Sequence, residues 1–246
     1  MGVTSLLFLF NIVFSQAQPL RIAVAASGQA VIKLLRADFK KRHGIETDII
    51  IGSSGKLYAQ IKNGAPYHVF LSADTELPDA LFREGFGLTV PKVYAFGSLI
   101  ICCNSVDLNN WKQLITSNKV AKVAIANPSL APYGKAAEQV LKHYSLLDKI
   151  KTKLVYGESI AQVNTYIRTG VVDLSFTSES FLYEGPTAGK IRWVRADSKL
   201  YTPLAQSMLV LKAAEKDDYK KALLFFKYLQ SPAAKLILNK NGYRAP

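Results

Sequence analysis

The sequence predicts an α/β protein made of two lobes that the backbone connects twice. Short runs rich in β-branched residues alternate with amphipathic helical stretches, the alternation restarts after a long apolar segment, and two helical stretches end the chain. If the last helices pack on the first lobe, the backbone crosses between lobes near Phe96 and again near Tyr201. The predicted lobes are residues 18–96 plus 202–246 and residues 97–201, each a mixed, mostly parallel sheet flanked by helices.

The first half of the chain has the rhythm of parallel β-α-β units. Its first helix places Val31, Leu34, Leu35 and Phe39 on one face and stops at Gly44, a residue type common just after helices. This pattern indicates a helix packed on a sheet. Strands are predicted at 21–26, 47–51 and 69–72, and helices at 30–42, 56–63 and 77–84.

The second half begins with one long apolar strand candidate at 94–103. Beyond it the alternation of strands and helices resumes, which predicts a second α/β unit. Further strands are predicted at 122–126, 153–156, 172–176 and 206–211, and helices at 111–115, 134–143, 160–168, 217–229 and 232–238.

The first 17 residues are predicted to be a signal peptide. An apolar stretch at 6–14 is followed by Ser15-Gln16-Ala17, which fits the small-x-small pattern of a cleavage site. The stretch is shorter than the ~20 apolar residues that a membrane helix requires, and a buried N-terminal strand or helix is the alternative. Because no cysteine lies near the cleavage site, we expect an exported protein without a lipid anchor.

The chain is strongly basic, with 31 Lys and Arg against 18 Asp and Glu and a net charge of +13. Its basic residues come in short clusters such as 40–42, 149–151 and 220–221, rather than in a stripe interleaved with aromatic residues. We therefore expect solvated helix faces and no nucleic-acid partner. Binding to a polyanion or a membrane surface is the alternative, and it requires one contiguous basic face.

Candidate ligand-binding residues stand where predicted strands lead into helices. Helix N-termini offer N–H groups without intrahelical partners and a partial positive charge, so these junctions suit an anion. Ser27 and Ser54 follow the first two strands. In the second half, the segments 127–134 and 157–160 occupy the equivalent positions.

The same junctions offer little catalytic chemistry. The sequence has no G-x-S-x-G elbow, no metal-type C-x-x-C or H-E-x-x-H spacing, and glycines 52 and 55 are too close together for a phosphate-binding P-loop. An enzyme on this scaffold is the alternative, with Lys56, Asp74 and Glu158 as its titratable candidates. For Asp74 and Glu158, cap or salt-bridge roles are favoured.

Several motifs, in order along nearly the whole mature chain, carry a family resemblance. The sequence resembles the periplasmic molybdate-binding proteins of ABC transporters, which have the type II solute-binding fold. The motifs are Ala25-Ala26-Ser27, Gly52-Ser53-Ser54-Gly55-Lys56-Leu57, Gly64-Ala65-Pro66 with Val69 to Asp74, Asn127-Pro128 with Ala131 to Gly134, and Gly157-Glu158-Ser159-Ile160 with Gln162.

This resemblance implies capture of molybdate or tungstate between the lobes and delivery to the permease and ATPase subunits of an ABC importer. By position, Ser27 and Ser54 would bind the oxyanion through hydroxyl and main-chain groups, and the backbone at Tyr133 and Ile160 would bind it from the other lobe. The metal would arrive inside the oxyanion, with no separate cofactor. A monomer in the periplasm is expected. Sulfate, thiosulfate or another small anion is the rival ligand.

Two residues depart from the family pattern. Phe176 stands at a predicted strand end where some relatives have a tyrosine whose hydroxyl binds the oxyanion. By this position, Phe176 is the fifth predicted site residue. Thr177 is the candidate that would replace the missing hydroxyl. His68 replaces the acidic residue that usually precedes the segment from Val69 to Asp74.

Overall fold

The computed structural model describes residues 18–104, 107–185, 191–215 and 218–246, so the predicted signal peptide at 1–17 lies outside the described residues. Eleven strands occur in the described ranges: β1 (Leu20–Ala25), β2 (Thr47–Gly52), β3 (Val69–Ser72), β4 (Lys92–Gly97), β5 (Leu99–Cys103), β6 (Val123–Ala126), β7 (Leu154–Gly157), β8 (Leu174–Ser178), β9 (Arg192–Arg195), β10 (Ala205–Val210) and β11 (Tyr243–Arg244). The α-helices there are α1 (Gln29–His43), α2 (Ser54–Lys62), α3 (Glu76–Arg83), α4 (Trp111–Leu114), α5 (Pro132–His143), α6 (Ile160–Arg168), α7 (Tyr219–Tyr228) and α8 (Pro232–Asn239).

Six strands form the sheet of the first lobe, here called lobe I, in the order β11-β4-β10-β3-β1-β2. Strands β1, β2 and β3 are parallel, whereas β10 and β11 run antiparallel to their neighbours. Helix α1 packs on one face through Val31, Leu35 and Phe39, which are buried as predicted, and it ends at Gly44 with φ +67°. The prediction was wrong for Leu34, which is 48% exposed because it lies on the outer side of the helix. Helices α7 and α8 share that face, and α2 and α3 cover the opposite face.

Five strands form the sheet of the second lobe, lobe II, in the order β7-β6-β8-β5-β9. Strand β6 is parallel to its neighbours β7 and β8, and β5 is antiparallel to β8 and β9. Helices α5 and α6 pack on this sheet and bury Val140 and Val163 in its core. The predicted α/β class, with two mixed sheets flanked by helices, is confirmed. The sheets are not mostly parallel as predicted, because the strands on either side of the two connections pair antiparallel.

The long strand predicted at 94–103 is two strands, and this prediction was wrong. The chain leaves the first sheet at Gly97 and enters the second at Leu99, so Ser98 separates strands of different lobes. The backbone returns between β9 and β10. The two connections touch, because the N–H of Gly97 donates to the carbonyl of Leu204 at 2.9 Å and the N–H of Leu99 donates to the hydroxyl of Tyr201 at 3.2 Å.

Other differences from the predicted elements are small. Strand β8 covers 174–178 rather than 172–176, and the short strands β9 and β11 were not predicted. Across the residues that the structure describes, we find no helix with both the length and the apolar character needed to cross a membrane.

Candidate functional site

The candidate site lies where the parallel strands of both lobes end. In lobe I, Ala25 at the end of β1 pairs with Gly52 at the end of β2, so the helical segments that follow begin side by side. In lobe II, Ala126 at the end of β6 pairs with Gly157 at the end of β7 in the same way. The sheets therefore present four helical N-termini toward one point. A small cavity of about 10 Å³ lies at this point.

Four of the five predicted site residues line this cavity, namely Ser27, Ser54, Tyr133 and Ile160. Each is 3% exposed or less, so all four side chains are shielded from bulk water. The other lining residues are small, apolar or hydroxyl-bearing: Ala25, Ala26, Ser53, Ala73, Ala131 and Pro132.

The two serines of lobe I are held differently. The N–H of Ala73 donates to Oγ of Ser54 at 3.1 Å, which leaves the hydroxyl hydrogen of Ser54 available for another acceptor. Oγ of Ser27 lies 3.5 Å from Oε1 of Gln206, a weak hydrogen bond at the limit of the usual range. Both hydroxyls can therefore donate to an anion in the cavity.

The two residues of lobe II stand in the first turn of a helix. Tyr133 is the second residue of α5 and Ile160 is the first residue of α6. The main-chain N–H groups at such positions have no intrahelical acceptor. The aligned peptide dipoles of each helix also make its N-terminus partly positive. These N–H groups are suited to an anion without any charged side chain.

Phe176, the fifth predicted site residue, does not line this cavity. It is fully buried in the core of lobe II, and its ring meets the ring of Trp111 at 5.7 Å in an edge-on arrangement. The physical reason is the shifted strand, because Ser178 and not Phe176 ends β8. The hydroxyl of Thr177, the candidate replacement, already donates its hydrogen to Oδ1 of Asn164 at 2.5 Å.

Sequence reasoning missed Ser53 as a lining residue. Its hydroxyl is buried and has no hydrogen-bond partner among the described residues, unlike that of the adjacent Ser54. A buried hydroxyl without a partner is energetically unfavourable, which favours an additional acceptor in the cavity. The sequence signal for Ser53 is its place beside Ser54, between Gly52 and Gly55.

None of the described residues that line this cavity is charged. Two ion pairs join the lobes elsewhere: Lys56 to Glu158 at 2.6 Å and Lys135 to Glu76 at 3.0 Å. All four side chains are more than 40% exposed, so solvent screens these pairs. The N–H of Gly55 also donates to the carbonyl of Leu130 at 2.9 Å, a third bond between the lobes.

A wider cleft of about 410 Å³ adjoins the small cavity and shares Ala73, Ala131 and Pro132 with it. Asp74 lies in this cleft. Burial raises the pKa of its carboxyl group. Hydrogen bonds from the N–H of Leu77 and the hydroxyl of Ser72 favour the charged form and partly offset this rise. The bond from Leu77, in the first turn of α3, gives Asp74 the capping role that the sequence favoured.

His68, the second departure, lies away from the cavity, beside the amino end of β3. Its Nδ1 accepts the N–H of Arg21 at 3.1 Å, and its Nε2 lies 3.8 Å from Asp218. His68 therefore contributes to the packing of lobe I rather than to the cavity wall.

A family model described as "Bacterial extracellular solute-binding protein" matches residues 20–244. The chain belongs to this family. Two curated relatives of the solute-binding protein are molybdate-binding proteins, from Azotobacter vinelandii and Rhodobacter capsulatus. Both are 34% identical to it. The first match covers 93% of this chain and 91% of the relative, and the second covers 90% and 86%.

The fold of the solute-binding protein also matches a solved structure. The periplasmic molybdate-binding protein of Azotobacter vinelandii superposes with a TM-score of 0.86 at 33% identity, over 92% of this chain and 99% of that chain. This match confirms the predicted two-lobe fold, and the relatives confirm the family resemblance that the motifs carried.

Proposed function

We propose that this protein captures molybdate or tungstate between its two lobes and delivers it to an ABC importer. The observation that carries the proposal is the convergence of four helical N-termini, two from each lobe, on one small cavity without charged side chains. The two relatives at 34% identity, which are molybdate-binding proteins, support the choice of ligand.

In the proposed complex, the hydroxyls of Ser27 and Ser54 donate from lobe I, and the main-chain N–H groups of Tyr133 and Ile160 donate from lobe II. Ser53, whose buried hydroxyl has no other partner, supplies a further donor. Hydrogen bonds to a charged group contribute about 1.5 to 3 kcal/mol each, so a set of this size can offset the dehydration of a dianion. The metal is part of the cargo, and the protein supplies only hydrogen bonds.

Neutral donors also give selectivity. A protonated anion such as hydrogen phosphate would bring a hydrogen that finds no acceptor among donor groups, and the unpaired hydrogen would weaken its binding. Sulfate has the same charge as molybdate but is smaller. It would reach fewer of the donors at once, so we expect the cavity to favour the larger ions.

We propose that binding closes the lobes about the two connections, with lobe I formed by residues 18–96 plus 202–246 and lobe II by residues 97–201. The ion pairs and the bond from Gly55 to Leu130 that join the lobes belong to the closed form. Hinge closure around a ligand is a known motion of binding proteins. Export to the periplasm as a monomer, and transfer of the ion to permease and ATPase subunits, complete the proposal.

A thermal-shift screen tests the choice of ligand. The mature chain, beginning at Gln18, is heated with molybdate, tungstate, sulfate or phosphate at one ionic strength. A ligand that binds only the native state raises the free energy of unfolding by RT ln(1 + [L]/Kd). We expect a large rise in Tm with molybdate and tungstate only. A rise with sulfate alone would support the sulfate alternative. No rise with any of the four anions would reject oxyanion capture.

A further inference from the structure

The carbonyl oxygen of Ser27 accepts two side-chain hydrogen bonds, one from each lobe. The hydroxyl of Tyr243, in β11 of lobe I, donates to it at 2.6 Å. The hydroxyl of Ser180, which follows β8 in lobe II, donates to it at 2.6 Å as well. Both donors are at least 94% buried, so no water competes for these bonds. The carbonyl thus uses both of its lone pairs on groups from separate lobes.

The C-terminal segment that contains β11 brings Tyr243 to the carbonyl of Ser27. Strand β11 pairs with β4 next to the first connection, where Tyr243 faces Gly97. Gly242 has φ +79°, a conformation that favours glycine, and a Cβ at this position would lie 2.8 Å from the backbone nitrogen of Ser180. Only a residue without a side chain allows the segment to approach lobe II this closely. The approach brings the hydroxyl of Tyr243 to the carbonyl of Ser27.

We propose that Ser180 and Tyr243 are positioning residues for the oxyanion site, acting through the carbonyl of Ser27. This inference rests on the proposed function, because it assigns a role toward the same ligand. The two bonds fix the turn that carries the Ser27 hydroxyl, and neither residue lines the cavity itself. Burial raises the pKa of the Tyr243 hydroxyl to about 12, so it keeps the hydrogen that it donates at neutral pH.

The two residues act at different stages. The bond from Tyr243 lies within lobe I and is independent of the angle between lobes. The bond from Ser180 crosses between lobes, so it contributes when they come together around the ligand. Loss of the Ser180 hydroxyl therefore weakens the closed complex and leaves the separate lobes intact. Loss of the Tyr243 hydroxyl weakens both lobe I and the complex.

Release of radiolabelled molybdate into excess unlabelled molybdate tests this assignment, together with the Tm of the ligand-free protein. For Ser180→Ala we expect release about three- to tenfold faster, the effect of one lost hydrogen bond, with association and ligand-free Tm nearly unchanged. For Tyr243→Phe we expect a similar loss of affinity and a lower ligand-free Tm.

Matched controls separate positioning from general loss of packing. Ser178→Ala removes a buried hydroxyl that lies 2.8 Å from that of Ser180 but keeps the bond to Ser27. Tyr228→Phe removes a tyrosine hydroxyl bonded to Asp38 in lobe I. Release from both controls should match the unmodified protein. Equal release rates for Ser180→Ala and Ser178→Ala would overturn the inference alone, whereas failure of the unmodified protein to bind molybdate would overturn the proposed function and the inference together.

Discussion

The hydroxyl of Tyr133 sits directly over the backbone of Gly97, so that a Cβ at Gly97 would lie 2.0 Å from the Tyr133 oxygen. Tyr133 belongs to lobe II and lines the cavity, whereas Gly97 ends the strand that leads into the first connection. Among the described residues, the buried hydroxyl of Tyr133 has no hydrogen-bond partner. The two lobes thus meet at a glycine beside the first connection.

Gly97→Ala is expected to prevent full closure, because real Cβ atoms do not approach an oxygen this closely. Molybdate affinity should fall at least tenfold, while each lobe stays folded. Adding Tyr133→Phe removes the clashing oxygen, although the ring carbon that carried it remains 3.1 Å from the new Cβ. Affinity should therefore recover in part, as measured by calorimetry. Equal affinities for Gly97→Ala and the unmodified protein would show that this contact does not limit closure.

Ser54→Ala is expected to lower the affinity for molybdate about tenfold to a hundredfold, since it removes one hydrogen bond to a charged ligand. The variant also removes the acceptor of the Ala73 N–H, so its ligand-free Tm should be recorded alongside. Ser129→Ala, at an exposed serine near the start of α5, is the matched control and should bind normally. A Ser54→Ala protein with unchanged affinity would remove Ser54 from the site.

Glu158→Gln breaks the exposed ion pair with Lys56 that joins the lobes. Exposed pairs contribute about 0 to 1 kcal/mol, so we expect less than about a fivefold loss of molybdate affinity, and less still at high salt. Glu138→Gln, which breaks a pair with Lys142 inside α5, should have no effect on affinity. A loss above tenfold, independent of salt, would instead indicate that Glu158 acts on the ligand.

His68 makes the stability of lobe I depend on pH. Burial lowers its pKa from 6.5, partly opposed by Asp218 and reinforced by Arg21 and Lys221. The folded protein therefore favours neutral His68. The free energy of unfolding is highest above pH 6.5 and decreases as pH falls below that value, because the folded protein binds this proton less readily than the unfolded chain. Urea unfolding at pH 7.5 and 5.5 should show a smaller loss in His68→Gln than in the unmodified protein. An identical loss in both would contradict this role.

The alternation of strands and helices was predictable because it depends on local periodicity. The four junctions that meet at the cavity follow from it, since parallel strands of one sheet end at the same edge. Strand β9 was missed because its residues, from Arg192 to Arg195, are mostly exposed and lack an apolar pattern. Its pairing depends on the neighbouring strand β5.

Errors arose where tertiary contacts set the boundary of an element. Nothing local separates Gly97 from Leu99, because both lie in one apolar stretch, and only their assignment to different sheets reveals the connection. Strand β8 likewise ends two residues later than predicted. Phe176 therefore lies inside the strand and is buried in the core, rather than at the strand end where it was predicted. Ser180 and Tyr243 are 153 and 216 residues from Ser27, so no sequence pattern could have joined them.

Equilibrium dialysis against molybdate, with molybdenum counted by mass spectrometry, is the decisive test of molybdate capture. We expect one molybdenum per chain for the unmodified protein, retained in the presence of excess sulfate, and a marked loss in the Ser27→Ala, Ser54→Ala double variant. No bound molybdenum, or displacement of it by sulfate at equal concentration, would show that this protein does not capture molybdate at the cavity between its lobes.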